Sequence, residues 1–279
     1  VVNVGFDPRD VGAVLAWWVG HSCLTDPDPD PGRQECLPHQ ESAMLISHRK
    51  RFIYTKTVKT AGTSVESYFE PLCMRDGEWS FSHARKEYVS EAGVIGVRTG
   101  EPLEIQQAIW WNHMPARAIR AMIGETIWNN YFKFCVVRNP FDAMVSAYRY
   151  FHAAERKRGL RKYLAVIGGR SGSGREERDL KPKFEQWLRT MQLPLDRNKY
   201  LIDGEYCMDF VIHYEALADG VREVCRRLDY SFEPARMPHL KNSEKPKLPI
   251  SAYYSAAAID LVERTFRFEL DQFGYRRPW

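Results

Sequence analysis

Twice in this chain an apolar run rich in aromatic and β-branched residues passes through a short polar turn into a helix-patterned segment. The first instance is "RFIYTKTVKTAGTSVESYF" (residues 51–69) and the second is "YFKFCVVRNPFDAMVSAYRYF" (residues 131–151). A third strand-like run, "CMDFVIHY", leads into "GVREVCRRL". Strands that alternate with helices predict an α/β fold, a central parallel sheet flanked by helices on both faces. In such a sheet, ligands bind beyond the carboxyl ends of the strands. The two polar turns are therefore where function is expected.

Other segments fit around this frame. "PARAIRAMIG" (115–124) reads as a helix with proline in its first turn and glycine at its end. Residues 183–192 read as another helix. The steps of three and four through Ile259, Val262, Phe266, Leu270 and Phe273 predict an amphipathic C-terminal helix. "TDPDPDPGRQE" (25–35) is a loop, because alternating prolines remove donors, and "GGRSGSGREERD" (168–179) is a polar surface loop. With no internal repeat and no splitting linker, we expect a single domain over residues 46–279. Residues 1–45 form an N-terminal extension packed on it.

A formal charge of +4 on 279 residues permits an anionic ligand but lacks the dense basic face of a nucleic-acid binder. "VGAVLAWWVG" is too short to span a bilayer and has no basic leader, so no membrane span is expected in this chain. That implies a cytoplasmic protein, or a Golgi-lumenal one if an anchor upstream of Val1 has been trimmed. The six cysteines include no CxxC pair; Cys135 and Cys225 read as buried thiols, and Cys23 and Cys36 flank the Pro/Asp loop and could bridge in an oxidising compartment. No His, Cys or carboxylate cluster has metal-ligand spacing, so no metal is expected.

At the first turn, Gly62 admits close backbone approach, and the first helical amides lack intrahelical partners. Together with the hydroxyls of Thr60, Thr63 and Ser64 they make an anion cradle, to which Lys59 adds a mobile charge. The lysine precedes the glycine, so this is not a GxxxxGK[ST] loop. At the second turn, the fork of Arg138 and the hydroxyl of Ser146 two helical turns on suit a terminal phosphate. The plainer alternative pairs Arg138 with Asp142 and leaves Ser146 facing solvent.

Taken together, "KTAGTS" (59–64) and "RNPFDAMVS" (138–146) resemble the motifs of the 3′-phosphoadenosine-5′-phosphosulfate (PAPS)-dependent sulfotransferases, most closely the heparan-sulfate 2-O- and chondroitin-type branch and its bacterial relatives. The resemblance implies a P-loop-like nucleotide site. Lys59, Thr60, Ala61, Gly62, Thr63 and Ser64 would hold the 5′-phosphosulfate, and Arg138 and Ser146 the 3′-phosphate. "PHLKNSEKPK" resembles the family's basic loop over the nucleotide, which would add Lys241, Ser243 and Lys245. "WWNHMPARAIRAMIG" resembles the region that carries a catalytic histidine. His113 is thus the implied general base, with His83 and Glu66 as alternatives, and Lys59 the group that assists the leaving phosphate. Val58 stands where many members have proline. The implied activity is sulfuryl transfer from PAPS, without metal, to a hydroxyl or amine of a small-molecule or glycan acceptor. An ATP-dependent phosphotransferase and a non-catalytic binder of nucleotide or sulfated glycan are the competing readings.

Overall fold

The computed structural model describes residues 44–98, 107–111, 113–164, 180–191, 193, 195–237 and 248–279, and of 153–164 the backbone alone. The readings for the N-terminal extension, the Cys23–Cys36 pair, the loop at 168–179, and Lys241, Ser243 and Lys245 lie outside these residues.

Two short strands open the described chain, β1 (Leu45–Ser47) and β2 (Phe52–Thr55), followed by α1 (Gly62–Phe69) and a 3₁₀ turn at Glu70–Cys73. Pro71 sits in that turn, where a missing N–H ends the regular helix. Strands β3 (Tyr88–Ser90) and β4 (Gly93–Ile95) come next, then α2 (Ala116–Asn130), β5 (Phe132–Val137) and α3 (Pro140–Leu164). The remainder comprises α4 (Leu180–Thr190), α5 (Arg197–Tyr200), the hairpin β6 (Leu201–Ile202) and β7 (Glu205–Tyr206), β8 (Phe210–His213), α6 (Leu217–Arg227), α7 (Ala256–Thr265) and α8 (Arg267–Gln272).

Six strands form one sheet in the order β3-β4-β1-β2-β5-β8. The expected parallel arrangement holds for β2, β5 and β8, paired from Phe52↔Phe132 to Thr55↔Cys135 and from Phe134↔Phe210 to Val137↔His213. The sheet as a whole is mixed, because β1 pairs antiparallel with both β2 and β4, and β3 antiparallel with β4. The connection from β1 to β2 is a tight turn, with Arg51 in the left-handed region (φ 51). A turn that short returns the chain antiparallel, whereas a parallel neighbour needs a crossover.

Alternation along the strands divides the core. Phe52, Tyr54, Phe134, Val136 and Ile212 pack with Val65, Tyr68 and Phe69 of α1 and Val221 and Val224 of α6. Ile53, Cys135 and Val137 face the other way, against Ile119 and Trp128 of α2, Tyr200 and Phe273. A third cluster joins α3, α4 and α7 through Phe141, Tyr148, Phe184, Trp187 and Val262. The cysteines at 73, 135 and 225 are free and buried. Gly124 (φ 80, ψ 159) leaves helical geometry where the sequence places the helix end, and α2 resumes beyond it to Asn130; the expected C-terminal helix divides at Phe266 (φ −104, ψ 25) into α7 and α8.

Candidate active site at two parallel strand ends

Register places the two turns side by side. Thr55 of β2 pairs with Cys135 of β5, so the residues that follow each strand leave the sheet as neighbours. The Thr57 hydroxyl donates to the Val136 carbonyl and extends the ladder past the last paired residue.

Within the first turn, Lys59 (φ 61) and Ala61 (φ 57) both adopt the left-handed conformation. Each costs on the order of 1 kcal/mol in a residue with a Cβ, and such strain collects at functional positions. Left-handed residues on either side of Thr60 curl the turn in the manner of backbone nests, whose amides suit an anion. Lys59, Ala61 and Thr63 are partly exposed, while Thr60, Gly62 and Ser64 are buried. The Thr60 hydroxyl lies 2.8 Å from Thr57 Oγ1 and 3.2 Å from the Thr57 carbonyl, which engages it within the turn; what Thr60 can offer outward is its amide. The Ser64 amide is taken by the Ala61 carbonyl at 2.9 Å.

Gly62 also has a reason within the protein itself. A Cβ there would lie 2.7 Å from Cγ and 2.9 Å from Cδ of Lys56, whose side chain runs beneath the turn. The glycine accommodates a second lysine of the same protein.

Arg138 pairs with Asp142, as the plainer sequence alternative had it, with Nε and Nη2 both 2.7 Å from Oδ2. Its Nη1 also donates to the Lys59 carbonyl at 2.8 Å, and its guanidinium lies 4.0 Å from the centre of the Tyr214 ring. Lys59 in turn holds its ammonium 3.7 Å from the ring centre of Tyr150. Asp142, Ser146 and Tyr150 follow at i, i+4 and i+8 on α3, one above another on a single face. Ser146 thus stands between the Arg138 end and the Lys59 end of that face.

His113 sits beside this turn in a left-handed conformation (φ 51). Its Nδ1 is 3.0 Å from the Lys56 carbonyl. A carbonyl only accepts, so Nδ1 carries the proton and Nε2 the lone pair. Nε2 is buried with no hydrogen-bond partner among the described residues. Burial, and then the Lys56 charge, push the His113 pKa down to about 3, which keeps the imidazole neutral. The alternatives are placed elsewhere. His83 is exposed against Phe81, and Glu66 is fully buried in ion pairs with Lys56 and Arg98.

Asp196 was not anticipated. Its carboxylate accepts the Val58 N–H at 2.9 Å, an amide that a proline at this position could not supply. Burial raises its pKa to about 7, against an opposing pull from Lys199. With the folded pKa above the unfolded one, the folded state holds more protons between about pH 4 and 7, so this group makes stability fall as pH rises through that window. Asp196→Asn, which keeps an oxygen for Val58, is expected to flatten that slope in thermal melts run from pH 4 to 8.

Asp196 also lines a cleft with Thr57, Lys59, Thr60, Arg138, Met144, Tyr200 and Glu269. Among the described residues no group of three or more His, Cys, Asp or Glu could hold a metal ion, and no helix is long and apolar enough to cross a membrane.

By fold and turn geometry this is an α/β protein of the strand–turn–helix kind, with a cleft that carries Lys59 and Arg138 at the ends of two adjacent parallel strands. The chain belongs to the sulfotransferase family, whose family model matches residues 42–276. No curated protein and no solved structure matches it.

Proposed function

We propose that this sulfotransferase takes its sulfuryl group from PAPS and delivers it to a hydroxyl or amine of a small-molecule or glycan acceptor. One observation carries the reading: Arg138 donates to the Lys59 carbonyl at 2.8 Å, while the Lys59 ammonium lies over Tyr150, one turn beyond Ser146. Lys59 and Arg138 in one cleft, with Ser146 on the adjoining helix, suit a ligand with two separated phosphates. The residues present fit such a group. The left-handed pair at Lys59 and Ala61 curls amides into a nest, and the buried Nε2 of His113 awaits a donor.

When bound, PAPS would supply the sulfuryl group together with a phosphate leaving group. Amides of the turn from Lys59 to Thr63 and the Thr63 hydroxyl would hold the 5′ end, and Lys59 would neutralise the charge that builds on the leaving oxygen. Arg138 has five N–H donors, of which three are engaged with Asp142 and the Lys59 carbonyl, leaving two for the 3′-phosphate beside Ser146. Nε2 of His113 would accept the acceptor's proton, its tautomer fixed by the Lys56 carbonyl. Lys241, Ser243 and Lys245 would close over the nucleotide.

Labelled sulfate should pass from PAPS to a member of an acceptor panel in the presence of a chelator. Turnover of ATP with magnesium, with no label transferred to any acceptor, would overturn the proposal.

The Tyr150 ring also makes a specific demand. A cation over an exposed aromatic face is worth roughly 0.5–1 kcal/mol. Tyr150→Phe is expected to turn over at the parent rate, and Tyr150→Leu roughly 2- to 5-fold more slowly, by that same energy range. Equal losses in both variants would show that the hydroxyl, not the ring face, matters.

A further inference from the structure

Lys56 has almost no exposed surface, at 2%, and lies beneath the anion turn. Its ammonium pairs with Glu66 and lies 3.3 Å from the Thr63 hydroxyl oxygen. Glu66 also pairs with Arg98 at 3.3 Å; Arg98, itself fully buried, pairs with Glu70 at 2.6 Å, and Glu70 with Arg85 at 2.9 Å. The Trp79 indole donates to Glu70 as well, at 3.2 Å. Three cations thus face two carboxylates in a continuous buried network under α1. Removing one partner of such a network is costly, whereas assembling it adds little net stability, so its presence is better explained by what it positions.

The chemistry of the Thr63 contact is directional. An ammonium only donates, and a hydroxyl has one proton and two lone pairs. With one lone pair of Oγ1 filled by Lys56, the Thr63 proton is left for another acceptor. Thr63 is the partly exposed hydroxyl of the turn. Gly62 is what lets the lysine stem reach this point, since a Cβ would collide with it. The backbone of the same lysine accepts from His113 Nδ1.

Resting on the sulfotransferase reading above, we propose that Lys56 is a positioning residue: held by Glu66, it fills the inward lone pair of Thr63 so that the hydroxyl donates outward to the anion in the turn. Lys56 does not touch the ligand. Its influence on binding therefore runs through Thr63, which separates this role from that of a distant charge or a structural prop.

The test is a double-mutant cycle read by calorimetric titration with adenosine 3′,5′-bisphosphate, with thermal melts run alongside. Lys56→Met and Thr63→Val are each expected to weaken binding roughly tenfold, the order of one charge-assisted hydrogen bond. The double variant should be no weaker than the weaker single one. If Lys56→Met fails to fold because Glu66 loses its partner, Lys56→Met/Glu66→Gln removes both charges and serves in the same cycle. Losses that multiply in the double variant, or undiminished binding by Lys56→Met, overturn the inference. Failure of the unmodified protein to bind would instead overturn the nucleotide reading on which it rests.

Discussion

Lys59→Met is expected to lower kcat by about 10²- to 10³-fold, the usual consequence of removing one preorganised donor from a site of developing charge. Binding of adenosine 3′,5′-bisphosphate should fall far less, because the contact between Arg138 and position 59 goes to the main-chain carbonyl, at 2.8 Å, and survives the substitution. The left-handed backbone at this residue is no more strained with Met than with Lys. Rapid-quench measurement of sulfuryl transfer, beside calorimetry on the same sample, separates the two effects. A loss of affinity with kcat unchanged would place Lys59 in ground-state binding alone.

His113→Asn is the second substitution with a large expected effect. Asn tolerates the left-handed conformation that this position requires (φ 51) and can donate to the Lys56 carbonyl in place of Nδ1. The variant should therefore fold and bind nucleotide while losing the lone pair of Nε2. A general base contributes about 10²–10⁴-fold, and a kcat loss in that range is the expected result. The pH profile gives an independent check. Burial, assisted by the Lys56 charge, pushes the His113 pKa down to about 3. Protonation of the free enzyme's base thus occurs well below the ordinary histidine range, and kcat/KM should show no acid limb near pH 6.5 from this residue. A limb there that disappears in His113→Asn would contradict the described environment.

The parts of the candidate site visible in the sequence are those with local signatures. Lys59 and Arg138 occupy turns, and Ser146 the helix after the second, whose flanking strands and helices show clear apolar patterning, and parallel pairing then brings the turns together. The antiparallel half of the sheet was invisible for physical reasons. Strands β1 and β4 have three residues each, buried throughout, so no alternation distinguishes them from loop. Gly93 reads as a breaker but belongs in β4, where a Cβ would run into the Ile46 carbonyl. The burial of Lys56 is not legible locally, because a buried lysine depends on partners distant in sequence, Arg98 among them through Glu66. A usable signal existed nonetheless. Glu66 in α1 and Glu70 at the start of the 3₁₀ turn after it lie four residues apart in a segment otherwise filled with Val65, Tyr68 and Phe69, and buried acids there require cations. Asp196 carried no signal, since its partner is a backbone amide.

The central claim is that one ligand's two phosphates are held together across the ends of β2 and β5. Calorimetry comparing adenosine 3′,5′-bisphosphate with adenosine 5′-monophosphate tests it most directly, using the unmodified protein and Arg138→Ala. The account predicts that loss of the 3′-phosphate weakens binding by roughly 10- to 100-fold, the scale of charged hydrogen bonds, and that Arg138→Ala erases this preference. Equal affinity of the unmodified protein for both nucleotides, or a preference that survives in Arg138→Ala, would contradict it.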